Sequence, residues 1–221
     1  MTFSLLVRDA QTNAIAGVAA TGSLCVGGWV LRGRWGTGMS ASQGAAPSTI
    51  WGESVLDGIA GGQSPTEAIE AVVAPDEGRD WRQLTVLDMR GRVASHDGGR
   101  NTPEVASLAC ASGIAAGNML ERPTVLEALI GGYENGKGSL PERLITGLAE
   151  AQAAGGDIRG LSSAALLVLR EDEAPLTLRI DYAEAPIEAL SALLERATSG
   201  DYAKWASQVP TPADPYRVLK G

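Results

Sequence analysis

The chain has 221 residues, 44% of them hydrophobic and 20% charged, and a formal net charge of −8. That length and balance suit one sizeable core, and no linker divides it. The negative charge repels phosphate backbones and anionic lipid heads, which argues against nucleic acid and against a membrane surface as partners.

In chain order, Thr2–Arg8 places Phe3, Leu5 and Val7 on one face with a two-residue period, the signature of a strand. Gln11-Thr12-Asn13 reads as a turn and Ala14–Thr21 as the hairpin partner. Short strands are predicted around Cys25–Leu31 and Thr37–Ser42, separated by glycines. A helix is expected over Trp51–Ile59, stopped by Gly61-Gly62. Ser64-Pro65-Thr66-Glu67 is a capping box that opens another helix, which should end before Pro75. Arg82–Asp88 and Arg92–Ser95 read as a hairpin around Arg90-Gly91.

Further along, Pro123–Tyr133 is helical by its apolar spacing. Ser139-Leu140-Pro141-Glu142 is a second capping box, and Leu140, Leu144, Ile145, Leu148 and Ala151 form one stripe with Gly155 as the closing cap. Ala164–Leu169 is continuously apolar, as in a strand buried on both faces. In Leu176–Tyr182 the residues Leu176, Leu178, Ile180 and Tyr182 should face inward. A helix over Ile187–Ala197 closes the regular part. The tail, residues 200–221, carries Tyr202, Trp205 and Tyr216; it should pack on its own domain or reach a partner subunit in a homo-oligomer. The lack of βαβ alternation argues against a parallel sheet and for antiparallel sheets covered by helices. No stretch approaches ~18 uninterrupted apolar residues, and the opening segment meets Arg8 and Asp9 before any secretory-length apolar run, so a cytoplasmic location is expected.

The usual catalytic signatures are missing. With two cysteines and one histidine, no zinc site of ordinary spacing can be written, and no metal or other cofactor is expected. Neither a G-x-S-x-G elbow nor a phosphate-binding loop occurs. His96 and Asp97 are adjacent and would point to opposite faces of a strand, so His96 reads as a strand-end residue. Thr2 remains. An initiator methionine is usually removed before a small second residue, and removal would give Thr2 a free α-amine beside its hydroxyl. An α-amine has a pKa of about 8, so it can take the hydroxyl proton and later protonate a leaving group. Against this stands the plain reading that Thr is a good strand residue.

Several short motifs carry a resemblance. Thr2-Phe3-Ser4 through Arg8-Asp9, Ala16-Gly17-Val18-Ala19, Ser42-Gln43, Arg82-Gln83 through Asp88, Gly91-Arg92-Val93-Ala94, Gly117-Asn118-Met119-Leu120, Gly155-Gly156-Asp157 and Ser163-Ala164-Ala165-Leu166 occur in this order. In these the chain resembles a large bacterial family placed with the N-terminal-nucleophile (Ntn) hydrolases. The resemblance implies an α+β fold over residues 1–199: a four-layer αββα sandwich of two antiparallel sheets with helices outside. It also implies hydrolysis of a small amide-type substrate, with Thr2 as nucleophile. Three positions depart from the family's pattern: Ala116 stands where Gln is common, Asp97 where Thr usually follows His, and Ser162 where Gln often precedes Ser-Ala-Ala.

Beside Thr2, two further residues are candidates for the chemistry. Asn118 could donate its amide to an oxyanion, or be a turn residue; Asp157 could orient the amine, or belong to a helix-end ion pair. Two are candidates for substrate binding: Arg159 gripping a carboxylate and Gln43 hydrogen-bonding substrate, the latter with loop bracing as its alternative. A protein that keeps the fold for binding or scaffolding, without the reaction, is the competing reading.

Overall fold

The computed structural model describes residues 2–120, 122, 124–157 and 159–219. The chain opens with the expected hairpin, β1 (Thr2–Asp9) and β2 (Ala14–Thr21). A one-turn helix α1 (Val26–Trp29) leads to β3 (Leu31–Arg34) and β4 (Gly38–Gly44). Helices α2 (Thr49–Ala60) and α3 (Pro65–Val73) follow, then a short 3-10 turn and the hairpin β5 (Arg82–Asp88) and β6 (Val93–Asp97). A second hairpin, β7 (Val105–Cys110) and β8 (Gly113–Asn118), precedes α4 (Thr124–Asn135) and α5 (Leu140–Ala153). The chain continues through β9 (Ser163–Leu169), β10 (Leu176–Ile180), α6 (Pro186–Ala197) and α7 (Gly200–Ala206).

The strands form two antiparallel sheets. One has six strands in the order β10-β9-β2-β1-β8-β7, and the other four in the order β3-β4-β5-β6. Alternation along β1 sorts the layers. Phe3, Leu5 and Val7 face α4, α5 and α6 in one apolar cluster. Leu6 faces the other way and meets Met39 and Leu87 of the four-stranded sheet. The outer face of that second sheet, Leu84 and Val86, is covered by Trp51, Val55 and Ile69 from α2 and α3. The result is the four-layer αββα sandwich that the resemblance implies.

Local chemistry sets the helix ends. At Ser64 the Glu67 carboxylate accepts the backbone N–H at 2.8 Å, and at Ser139 the Glu142 carboxylate does the same at 2.6 Å. Helix α5 ends in paired bonds from Gly155 N to the Gln152 carbonyl and from Gly156 N to the Ala151 carbonyl. Both glycines have positive φ, 132° and 50°, and glycine reaches that region at least cost.

Two expectations are corrected, and one hairpin is added to the elements expected. The strand predicted over Cys25–Leu31 is instead a helical turn, entered through Cys25 at φ 62°, with β3 starting only at Leu31. Its two glycines are poor helix formers, but tertiary contacts hold the turn: the Val26 N–H donates to Ser163 Oγ at 3.1 Å. Tyr182 lies beyond the end of β10 and is exposed, because strand pairing ends at Ile180. The hairpin β7–β8 was not foreseen, since its small Ala, Ser and Gly residues carry little strand propensity. In the tail, the Ala213 N–H donates to the Glu171 carbonyl at 2.8 Å, while Tyr202, Trp205 and Tyr216 stay exposed.

Phe3 is the chain's one phenylalanine and is fully buried. Phe3→Ala should cost about 3–5 kcal/mol in urea unfolding. A loss below ~1 kcal/mol would contradict the packing of β1 against the helices.

Candidate functional site

Strand register builds the site. Thr2 begins β1, one of the two central strands, and pairs with Thr21 on β2 and Asn118 on β8. Thr21 pairs in turn with Ser163 on β9. Thr2 lies on the same face of β1 as Leu6, so this row (Ser163, Thr21, Thr2, Asn118) crosses the end of the six-stranded sheet on the side facing the second sheet. All four residues are buried, Thr2 being 8% exposed. The Thr2 hydroxyl donates to Thr21 Oγ1 at 3.1 Å.

Opposite stands a polar row from the four-stranded sheet: Gln43, Gln83 and Asp97, paired across β4, β5 and β6. Gln83 links the two rows. Its amide nitrogen lies 3.1 Å from the Gly117 carbonyl, 2.9 Å from the Ala106 carbonyl and 2.7 Å from Asp97 Oδ1. Carbonyls only accept, so the orientation of this amide is settled by its surroundings. Gln83 Oε1 must then be the acceptor for Gln43 Nε2 at 2.7 Å and Asn118 Nδ2 at 3.2 Å. Gln43 Oε1 is thereby turned to the Ser4 hydroxyl, which donates at 2.9 Å, and Gln43 Nε2 also reaches the Thr2 carbonyl at 3.4 Å.

This arrangement bears on Asn118. One of its two amide hydrogens is engaged by Gln83, and its Oδ1 is buried with no hydrogen-bond partner among the described residues. The atom the site leaves open is an acceptor, one that a ligand N–H or O–H would satisfy.

Asp157 and Arg159 sit at the other side of Thr2, on the loop after α5. Asp157 Oδ2 accepts the Gly22 N–H at 2.6 Å, just past the end of β2. Only glycine fits there: a Cβ on residue 22 would lie 2.6 Å from Asp157 Oδ2. Arg159 forks onto the same carboxylate through Nε at 3.0 Å and Nη2 at 2.8 Å. The Asp157 side chain is fully buried, and that of Arg159 is 47% exposed. Burial pushes the Asp157 carboxyl upward, but the hydrogen bonds from the Arg159 side chain and backbone and from Gly22 outweigh it and hold the group below the usual aspartate range.

The structure therefore brings Thr2, Asn118, Gln43, Asp157 and Arg159 to one end of the sandwich. Gln83 joins them without having been singled out; a fully buried amide in mid-strand is its signal. Ala116 pairs with Ser4 one row in, Asp97 holds Gln83, and the Ser162 N–H donates to the Thr21 carbonyl at 2.9 Å. His96 lies apart: its Nε2 is 3.1 Å from the Arg79 carbonyl, and its ring meets the edge of Trp51. A cavity of about 750 Å³ lies elsewhere, between β10, α6 and the tail, and no candidate residue lines it. Its size reflects the open tail groove, and it carries no argument about the chemistry.

Residues 2–190 match a family model described as a family of unknown function (DUF1028), and the chain belongs to that family. It is also similar to a solved crystal structure of a DUF1028 protein from Silicibacter pomeroyi, with 50% identity and a TM-score of 0.95 over 100% of this chain and 96% of that one. No curated protein matches. Among the described residues, no group of three or more His, Cys, Asp or Glu is disposed to hold a metal ion, and no helix is long and apolar enough to cross a membrane.

Two measurements probe this geometry. Gln83→Leu leaves buried donors and acceptors without partners and should cost about 3 kcal/mol or more in denaturant unfolding; a loss under ~1 kcal/mol would mean that the network bears no load. For Asp157, the folded-state pKa lies below the unfolded one. Its stabilisation is therefore present above the ordinary value of about 3.9 and is lost as pH falls through the lowered one. Asp157→Asn should flatten that acid part of the stability profile, and an unchanged slope would refute the assignment.

Proposed function

We propose that this protein hydrolyses a small amide-type C–N bond, with Thr2 as the N-terminal nucleophile once Met1 has been removed. One observation carries the reading: Thr2 is the first residue of a central strand, its hydroxyl held in a buried polar row that abuts the Asp157 carboxylate through Thr21 and Gly22. In the reaction, the freed α-amine takes the proton of the Thr2 hydroxyl as Oγ1 attacks the amide carbonyl carbon. The C–N bond breaks and the leaving nitrogen receives that proton. Water then cleaves the acyl ester, releasing the acid and restoring Thr2.

The neighbours take roles suited to their surroundings. Asp157, held ionised, is a counter-charge for the ammonium form of the freed amine and helps orient it. Arg159, half exposed beside it, faces a carboxylate on the substrate. Gln43, with its amide nitrogen near the Thr2 carbonyl, steadies the nucleophile's backbone and borders the substrate. Asn118 has one amide hydrogen left for an oxyanion and an open Oδ1 for a substrate donor.

A second reading is a binding or scaffold protein that keeps the fold without the reaction. It is favoured by the commitment of the Asn118 amide to Gln83 and of the Thr2 hydroxyl to Thr21.

Intact mass and a β-lactone probe separate the two. Native protein should lack Met1. A β-lactone should then add its whole mass once: Thr2 Oγ1 attacks the lactone carbonyl, the ring C–O bond opens, and the ring oxygen takes the proton. Thr2→Ala should abolish the addition. Quantitative retention of Met1, or equal labelling of Thr2→Ala, would overturn the proposal.

A further inference from the structure

The interior of the sandwich ends differently on its two sides. Thr2, Ser4, Leu6 and Arg8 share one face of β1, so the chain that places Thr2 at one end of the inter-sheet space places Arg8 at the other. Six residue steps along the strand separate them, about 20 Å. At the Arg8 end a second cavity of about 420 Å³ opens, lined by Arg8 and Asp9, by Arg90 from the β5–β6 turn, by Ser112 from the β7–β8 turn, and by Tyr133 and Arg143 from α4 and α5.

Three arginines thus line one pocket of a chain whose net charge is −8. Each comes from a different wall, which concentrates positive charge against the field of the whole molecule. The Nε of Arg8 is buried with no hydrogen-bond partner among the described residues, an open donor on a charged group. Arg143 is braced: its Nε donates to the Tyr133 carbonyl at 3.2 Å, and its guanidinium stacks 4.4 Å from the Tyr133 ring centre. Arg90 stands exposed at the rim. The one carboxylate present, Asp9, is tied to its own turn, accepting from Gln11 N at 2.9 Å and Thr12 N at 3.4 Å.

We propose that this pocket binds the phosphoryl group of a small molecule. A phosphoryl group carries close to two negative charges and three acceptor oxygens, enough to engage guanidiniums from separate walls. A carboxylate offers two oxygens in one plane and is matched by a single guanidinium fork. The Ser112 hydroxyl and the Tyr133 ring line the same space, and burial keeps the Tyr133 phenol protonated. The site is independent of the chemistry at Thr2.

Isothermal titration of the full chain in low-salt buffer tests it, with inorganic phosphate, phenyl phosphate and citrate at matched ionic strength. Both phosphates should bind saturably. Arg90→Gln, a rim substitution that spares the fold, should weaken them about tenfold or more, as loss of a charged hydrogen bond does. Arg8→Gln should do the same with an unchanged unfolding midpoint, and Thr2→Ala should bind as the parent does. Stronger binding of phenyl phosphate than of inorganic phosphate assigns the site to phosphate esters, and the reverse to the free ion. No saturable binding up to tens of millimolar phosphate overturns the proposal. So does equal affinity in Arg90→Gln and Arg8→Gln, or tighter binding of citrate than of either phosphate.

Discussion

The carboxamide of Gln83 settles more of this structure than any other single group. It is fully buried between the two sheets and reaches both strands of the β7–β8 hairpin across them. Because backbone carbonyls of β7 and β8 claim its nitrogen, its oxygen can only accept. Gln43 and Asn118 must then both present nitrogen, and their own oxygens are turned away from Gln83, that of Gln43 to the Ser4 hydroxyl and that of Asn118 to a buried position with no partner among the described residues. Breaking any member strands buried partners, so the network holds its geometry as a unit. Hydrogen-bond polarity at the candidate site is thus inherited from the backbone of a neighbouring hairpin.

The inter-sheet space has a gradient along its length that follows from strand periodicity. At the Thr2 end the facing rows are hydroxyls, amides and the Asp97 carboxylate. In the middle they are Leu6, Met39, Leu87 and Ile114, all buried. Beyond these lies Arg8. The apolar middle keeps water from passing between the ends, so each polar end keeps its own electrostatics. Small residues such as Ala19, Ala41 and Ala116 let the sheets approach closely, and the amide of Gln83 can therefore reach carbonyls of the opposite sheet.

Much of the fold was legible wherever one rule acted alone. The alternation of β1, the apolar run of β9 and both capping boxes mark their elements, because burial and capping act within a few residues. Elements held by distant partners were not legible. Helix α1 depends on Ser163, far along the chain, and β7–β8 is a strand pair by virtue of its neighbours β1 and β6 rather than its own residues. The same division runs through the site. Thr2, Asn118, Gln43, Asp157 and Arg159 could each be singled out as residue types in suggestive motifs. The register that sets Thr2 against Asn118, and the opposition of Gln43 and Gln83 to both, exist only once two sheets face each other.

The three positions that depart from the resembled family's pattern now have places, and all lie at the Thr2 end of the sandwich. Ala116 lies between Ser4 and Ser107 in the row next to Asn118. A methyl there offers no hydrogen bond to Asn118 Oδ1, nor to the buried Thr85 hydroxyl on the facing strand, both unpartnered among the described residues. Asp97 adds a carboxylate where it engages the Gln83 amide at 2.7 Å and the Ser107 hydroxyl at 2.6 Å. Ser162 touches the site through its backbone, which any residue but proline could supply. The first two changes therefore act together. One leaves less side-chain volume in the row next to Thr2 and Asn118, and the other strengthens the hold on the amide that orients the rest. The polar frame at this end of the sandwich therefore stays fixed while a small residue stands one row inward from Thr2 and Asn118.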